Sequence, residues 1–143
     1  MTHDQAVAIR TSWALTAPSR RAFAERFYAH LFELDPALRG LFAATDFEAL
    51  ECKLTAALAE VVRLLDEPQR FVAIIVPLGR RHAAYGVRER DYTTASVALR
   101  LAFGDVLGAA FTGEMDDAWR ELHALVSAVM LRAGAPASVN PRS

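Results

Sequence analysis

Apolar residues recur along this chain at spacings of three and four, and no run alternates as a strand would, so the pattern predicts helices throughout. Thr2 and Gln5 stand at the spacing of a capping box and open a first helix that carries Val7, Ile9, Trp13 and Leu15. Pro18 starts a second helix with Phe23, Phe27, Leu31 and Leu34 along its apolar face. Asp35 and Pro36 open a short turn of helix that ends near Gly40, followed by Phe42. Thr45 and Glu48 form another capping box. The helix beyond it has the cleanest periodicity in the chain, through Phe47, Leu50, Leu54, Leu58, Val61 and Leu65. After the break at Pro68, an apolar stretch over 71–76 leads to a short helix bounded by Pro77 and Gly86. A long helix then runs from near Asp91 to Gly108. It is apolar nearly all round over 97–107, which places it deep in the fold. Thr112 caps the last helix, whose inner face holds Met115, Trp119, Leu122, Val126 and Met130. The sum is about seven helices in one all-α domain over 1–134, with a flexible Pro-, Ser- and Ala-rich tail over 135–143.

Composition narrows the function classes. A chain of 143 residues, 53% apolar, builds a real core without a partner. Its net charge of −1 gives no electrostatic case for nucleic acid or an acidic membrane surface. No apolar stretch reaches transmembrane length, and the opening Met1, Thr2, His3, Asp4 lacks the layout of a secretory signal, so a cytoplasmic protein is expected. Cys52 is the single cysteine, which rules out an internal disulfide, a cysteine-based zinc or iron–sulfur site and CxxCH haem attachment.

The residue with unexplained chemistry is His82. On the short helix it shares a face with Leu78 and Tyr85, while Arg80 and Arg81 point elsewhere. An imidazole on an apolar face, with no carboxylate within four residues, has two main uses: packing, or holding a metal.

Taken together, the order of elements resembles the globin family, over residues 4–133. Trp13 matches the first-helix tryptophan common in globins, Pro36 and Phe42 match the proline and phenylalanine of the short third helix, and His82 matches the proximal histidine. Leu54 and His82 are 28 residues apart, as in neuroglobin-like proteins, and LGRRHAAYGV is similar to neuroglobins and to the globin domains of flavohaemoglobins. The resemblance implies a globin fold around one haem pocket, with non-covalent haem b (iron protoporphyrin IX) ligated by His82. The second nitrogen of His82 is then expected to donate to a backbone carbonyl near Leu78. Phe42, Lys53, Leu54, Leu78, Val87 and Tyr92 fall at cofactor-contacting positions, and Tyr28, Leu50 and Leu54 at distal, ligand-facing ones.

Tyr28 falls where many bacterial globins place a hydroxyl facing the bound ligand; otherwise it is a buried tyrosine bonded to a carbonyl. A hydrogen bond there is worth about 1–3 kcal/mol. Leu50 departs from the family pattern of histidine or glutamine, which leaves Tyr28 as the donor and excludes a distal histidine ligand. Lys53 suits a propionate salt bridge or, when deprotonated, the iron. Cys52 points along a different direction of the helix. Tyr92 matches the proximal-side tyrosine of flavohaemoglobins. Their last-helix glutamate position falls near Gly134, where Arg132 and Ala133 offer no carboxylate. No GxGxxG fingerprint is present. The implied ligands are O2, NO and CO, in oxygen binding, storage or scavenging by a monomer or homodimer. The alternatives are NO dioxygenase or peroxidase-like chemistry with an external reductase, and gas or redox sensing. Arg88 and Arg90 read as a solvated charge cluster, His30 and His123 as structural or exposed, and His3 as exposed.

Overall fold

The computed structural model describes residues 1–42 and 45–135, so residues 136–143 of the expected tail lie outside the described residues. Six α-helices account for most of the described chain: α1 His3–Leu15, α2 Arg20–Leu34, α3 Phe47–Arg63, α4 Pro68–Ala84, α5 Glu89–Leu107 and α6 Gly113–Gly134. Shorter 3-10 turns span Ala17–Ser19, Pro36–Phe42 and Gly108–Ala110, and the second of these is the seventh helix of the sequence reading. The described residues contain no strand.

Local chemistry sets the helix ends. Thr2 and Gln5 form the reciprocal capping box, and the Thr112 hydroxyl accepts from the Met115 N–H. The expected box at Thr45 and Glu48 is replaced by Asp46, whose carboxylate accepts from the Glu48 and Ala49 N–H groups. A carboxylate at the N-cap meets two orphan donors and the positive helix end together. Pro18 lies in the Ala17–Ser19 turn rather than opening α2. The 97–107 segment is buried on one face only, through Ala98, Leu99, Ala102 and Phe103, while Leu101 and Asp105 are exposed. Val7, Leu15 and Leu34 are also exposed. The buried stripe of α1 is Ala6, Ile9 and Trp13, and that of α2 runs from Phe23 to Phe32.

The largest correction concerns Pro77. It does not begin a helix but lies inside α4, which starts at Pro68 and takes in the apolar stretch over 71–76. An interior proline removes one helix hydrogen bond, here at the Ala73 carbonyl. Pro77 and Ala73 are both exposed, so water can meet that carbonyl, and α4 stays continuous along α6. The crossing is close because of two glycines. A Cβ on Gly79 would stand 2.6 Å from the Met130 Cα and carbonyl oxygen, and one on Gly134 2.6 Å from the Ala83 Cβ.

The centre of the core is aromatic. Phe103 sits 4.6 Å from both Phe23 and Trp119, and Trp13 packs edge-on to Phe23 at 5.9 Å. The buried Trp119 Nε1–H donates to Ser12 Oγ at 2.7 Å, tying α6 to α1. Ser12→Ala strands that indole donor and is expected to lower stability by about 1–3 kcal/mol in urea unfolding.

Candidate functional site

α4 is stopped beside His82 by its own backbone. Gly86 takes the left-handed conformation at φ 89°, the Gly86 N–H reaches the Ala83 carbonyl, and the Val87 N–H reaches the His82 carbonyl at 3.1 Å. This double bond of the Schellman type fixes the last turn of α4. The half-buried imidazole is fixed as well. Its Nδ1 donates to the Leu78 carbonyl at 2.7 Å, the kind of partner expected from the sequence, and its ring stacks on the buried Tyr92 at 6.1 Å. With Nδ1–H committed, Nε2 carries the lone pair and makes no hydrogen bond to a described residue. Tyr85 departs from the expected shared face. It caps α4 and is 67% exposed.

Tyr28 is buried among rings, with Phe27 at 4.9 Å, Phe42 at 5.9 Å, Phe47 at 6.0 Å and Phe32 at 6.2 Å. Its hydroxyl bonds no described residue, against the alternative of a tyrosine tied to a carbonyl. Burial first, and the Glu51 charge second, push its pKa well above the usual phenol value, so the hydroxyl keeps its proton at any physiological pH. Phe47 and Glu51 were not singled out as site residues in the sequence. Their signal was present, since they stand four apart on α3, next to Leu50.

The remaining positions share one property. Phe42, Phe47, Leu50, Leu54, Leu58, Leu78 and Val87 are apolar and pack on the core, yet each is only partly buried. α3 rests on α2 and α1, while α4 rests on α6, and no contact of similar extent joins α3 to α4 or α5. Two helices with incompletely covered apolar faces thus stand apart, one carrying Leu50 and Leu54 and the other His82. This arrangement fits a flat apolar group with a metal: a neutral imidazole nitrogen without a partner, a protonated phenol without a partner and apolar walls. Lys53 and Cys52 are solvent-exposed, and Lys53 has no ion pair with a described residue.

Between α4, the start of α5 and the end of α6, Gly79, Ala83, Val87, Tyr92, Met130 and Gly134 line a small cavity of about 170 Å³. Gly134 lies against Ala83, so any side chain there requires the helices to shift. The Tyr92 hydroxyl has no hydrogen-bonded carboxylate among the described residues. Two of the other histidines, His30 and His123, are engaged elsewhere, and His3 is exposed. His30 Nε2 lies 2.6 Å from Asp105, which also holds Arg26. His123 is half-buried, and burial with the nearby Arg100 charge brings its pKa down to about 4. No helix of the described residues is long and apolar enough to cross a membrane.

A family model described as Globin matches residues 25–130. Neuroglobin of Danio rerio is 28% identical over 137 residues, covering 87% of this chain and 86% of the relative. A flavohemoprotein of Bordetella pertussis is 29% identical over 100 residues, covering 68% of this chain but only 25% of that protein. Among solved structures, an engineered carbene transferase, a putative nitric oxide dioxygenase from Rhodothermus marinus, superposes with a TM-score of 0.84 at 27% identity, covering 94% of each chain. A hexacoordinated heme protein from an anhydrobiotic tardigrade also superposes with a TM-score of 0.84, covering 95% of this chain and 96% of the other, and its 16% identity makes it a likeness of fold alone.

Proposed function

The chain belongs to the globin family, and from that premise we propose that it holds haem b without a covalent link through His82 and reversibly binds O2 and other diatomic gases, NO and CO included. The observation that carries this reading is the braced imidazole with a free Nε2, set beside apolar walls that the protein leaves partly uncovered. Held there by His82, haem would supply an iron centre able to bind a diatomic gas.

Each residue's task follows from its surroundings. The Leu78 carbonyl holds the Nδ1 proton, which fixes the tautomer and raises the basicity of Nε2. Phe42, Leu54, Leu78 and Val87 keep water from the cofactor faces. Tyr28, protonated and unpartnered, donates to a polar ligand in the distal space. Leu50 offers no donor, so that work falls to Tyr28. The exposure of Lys53 supports a salt bridge to a haem propionate rather than a bond to the iron, because an ammonium loses its charge only when desolvated.

The test is the rate of O2 release, followed by stopped-flow displacement with CO. One hydrogen bond of about 1–3 kcal/mol converts to release about ten- to a hundredfold faster in Tyr28→Phe. An unchanged rate would remove Tyr28 from the account.

A second reading, NO dioxygenase with an external reductase, is favoured by the likeness to the flavohemoprotein and to the Rhodothermus marinus protein. Sustained NO consumption in air on adding a reductase and its nicotinamide donor would support it. Peroxidase-like chemistry is less favoured, since Tyr92 has no carboxylate partner among the described residues.

A further inference from the structure

The corner between α4 and α5 holds a buried carboxylate that the site described above does not use. Asp91 stands in the first turn of α5 and is only 5% exposed, although aspartate is rarely buried unless fully paired. Its Oδ2 accepts from the Arg88 N–H at 2.8 Å and lies 3.4 Å from Arg88 Nε. Its Oδ1 is buried and bonds no described residue. Arg88 is the N-cap of α5, and an arginine side chain carries donors only, so it cannot cap a helix N–H itself. The carboxylate three residues on reaches back instead, which fixes the direction in which the chain enters α5.

The contacts around this corner form a closed path that begins and ends at His82. The His82 carbonyl accepts from the Val87 N–H at 3.1 Å. The next N–H along the chain, that of Arg88, is held by Asp91. Tyr92 follows Asp91, and its buried ring stacks on the His82 imidazole. The Arg88 carbonyl also accepts from the Asp91 N–H at 2.9 Å, but that bond only starts α5 and leaves Val87 and the Arg88 N–H unheld. Within the path, the bond from Arg88 to Asp91 Oδ2 is therefore the one that depends on a polar side chain.

We propose that Asp91 is a positioning residue for the iron ligand. Its carboxylate sets the corner at Val87 and Arg88 and the placement of the Tyr92 ring, and through them the orientation of the His82 imidazole. The proposal rests on His82 as the haem ligand. Helix stability alone is a poor reason for this carboxylate, because a buried, unpaired oxygen costs free energy comparable to what the cap returns.

The test is the iron–histidine stretching band in Raman spectra of the ferrous full chain without O2, with haem loss and the thermal melt alongside. Asp91→Ala is expected to shift and broaden the band and to speed haem loss about tenfold, the low end of what losing an outer partner costs a metal site. Asp91→Ser, too short to reach back, is expected to do the same and serves should the alanine variant fail to fold. Asp91→Asn, whose amide oxygen still accepts from the Arg88 N–H, is expected to keep the wild-type band. Ser12→Ala is the control for lost stability, since it weakens the core through Trp119 and touches no member of the path. An unshifted band with unchanged haem loss in Asp91→Ala or Asp91→Ser would overturn the proposal and leave His82 as the ligand. A band that moves as far in Ser12→Ala or Asp91→Asn would also overturn it. The absence of any iron–histidine band in the wild type would instead refute the ligand role of His82, and this proposal with it.

Discussion

His82→Gly is expected to weaken haem retention by more than about a hundredfold. Loss of an outer hydrogen-bond partner alone costs metal sites about 10–100-fold, and this change removes the ligand itself. The geometry argues for a specific effect rather than general unfolding. His82 is half-buried near the end of α4, its side chain makes one hydrogen bond and one ring contact, and the Schellman closure after it uses backbone atoms alone. Haem loss from the ferric variant, followed by transfer to an apo-globin acceptor, measures the effect. Added imidazole is expected to restore the wild-type spectrum in part, because Leu78 and Tyr92 still shape the vacated space. Haem loss at the wild-type rate, or loss of helical circular dichroism in the variant, would contradict a ligand role.

Gly79→Val is expected to destabilise the fold by about 3 kcal/mol or more, a fall in Tm of about 6–12 °C for a domain of this size. The new Cβ meets two Met130 backbone atoms at 2.6 Å, and backbone cannot rotate away as a side chain would. α4 and α6 then have to separate along the most extensive helix contact among the described residues. Even Gly79→Ala is expected to destabilise, although alanine is favoured over glycine inside a helix by about 1 kcal/mol. Gly104→Ala is the control. It lies within α5 with nothing within 4 Å of its would-be Cβ, and is expected to be neutral or slightly stabilising. Thermal melts of the three variants separate a steric crossing from helix propensity. Equal behaviour of Gly79→Ala and Gly104→Ala would show that the helices adjust freely.

Much of this architecture is legible in the sequence, and the gaps have physical causes. Periodicity found the core faces of α3 and α6, because apolar residues three and four apart leave few alternatives. The caps at Thr2 and Thr112 were readable because they depend on local bonds only. Pro77 misled because a proline at the start of a helix and one on its solvent side look alike in sequence. α6 decides between them, and α6 comes some forty residues later. Tyr85 kept the right spacing but lies past the last turn, where the helix ends and the face no longer exists. The close crossing at Gly79 and Gly134 was invisible for a related reason: what a glycine touches depends on another helix.

The candidate site divides the same way. His82 was conspicuous as an imidazole without a nearby carboxylate, and the Leu78 carbonyl one turn back is the nearest acceptor available to it. The ring cage around Tyr28 draws on three separate elements, and Glu51 affects it through space rather than by a bond, so neither followed from spacing alone.

The most direct test of the account is a haem titration of the purified chain, read as absorption spectra of the ferrous protein without O2. The account predicts uptake of one haem per chain and a five-coordinate ferrous spectrum, with His82 bound and the position opposite it open. A chain that takes up no haem, or a ferrous spectrum with a second protein ligand on the iron, would contradict it.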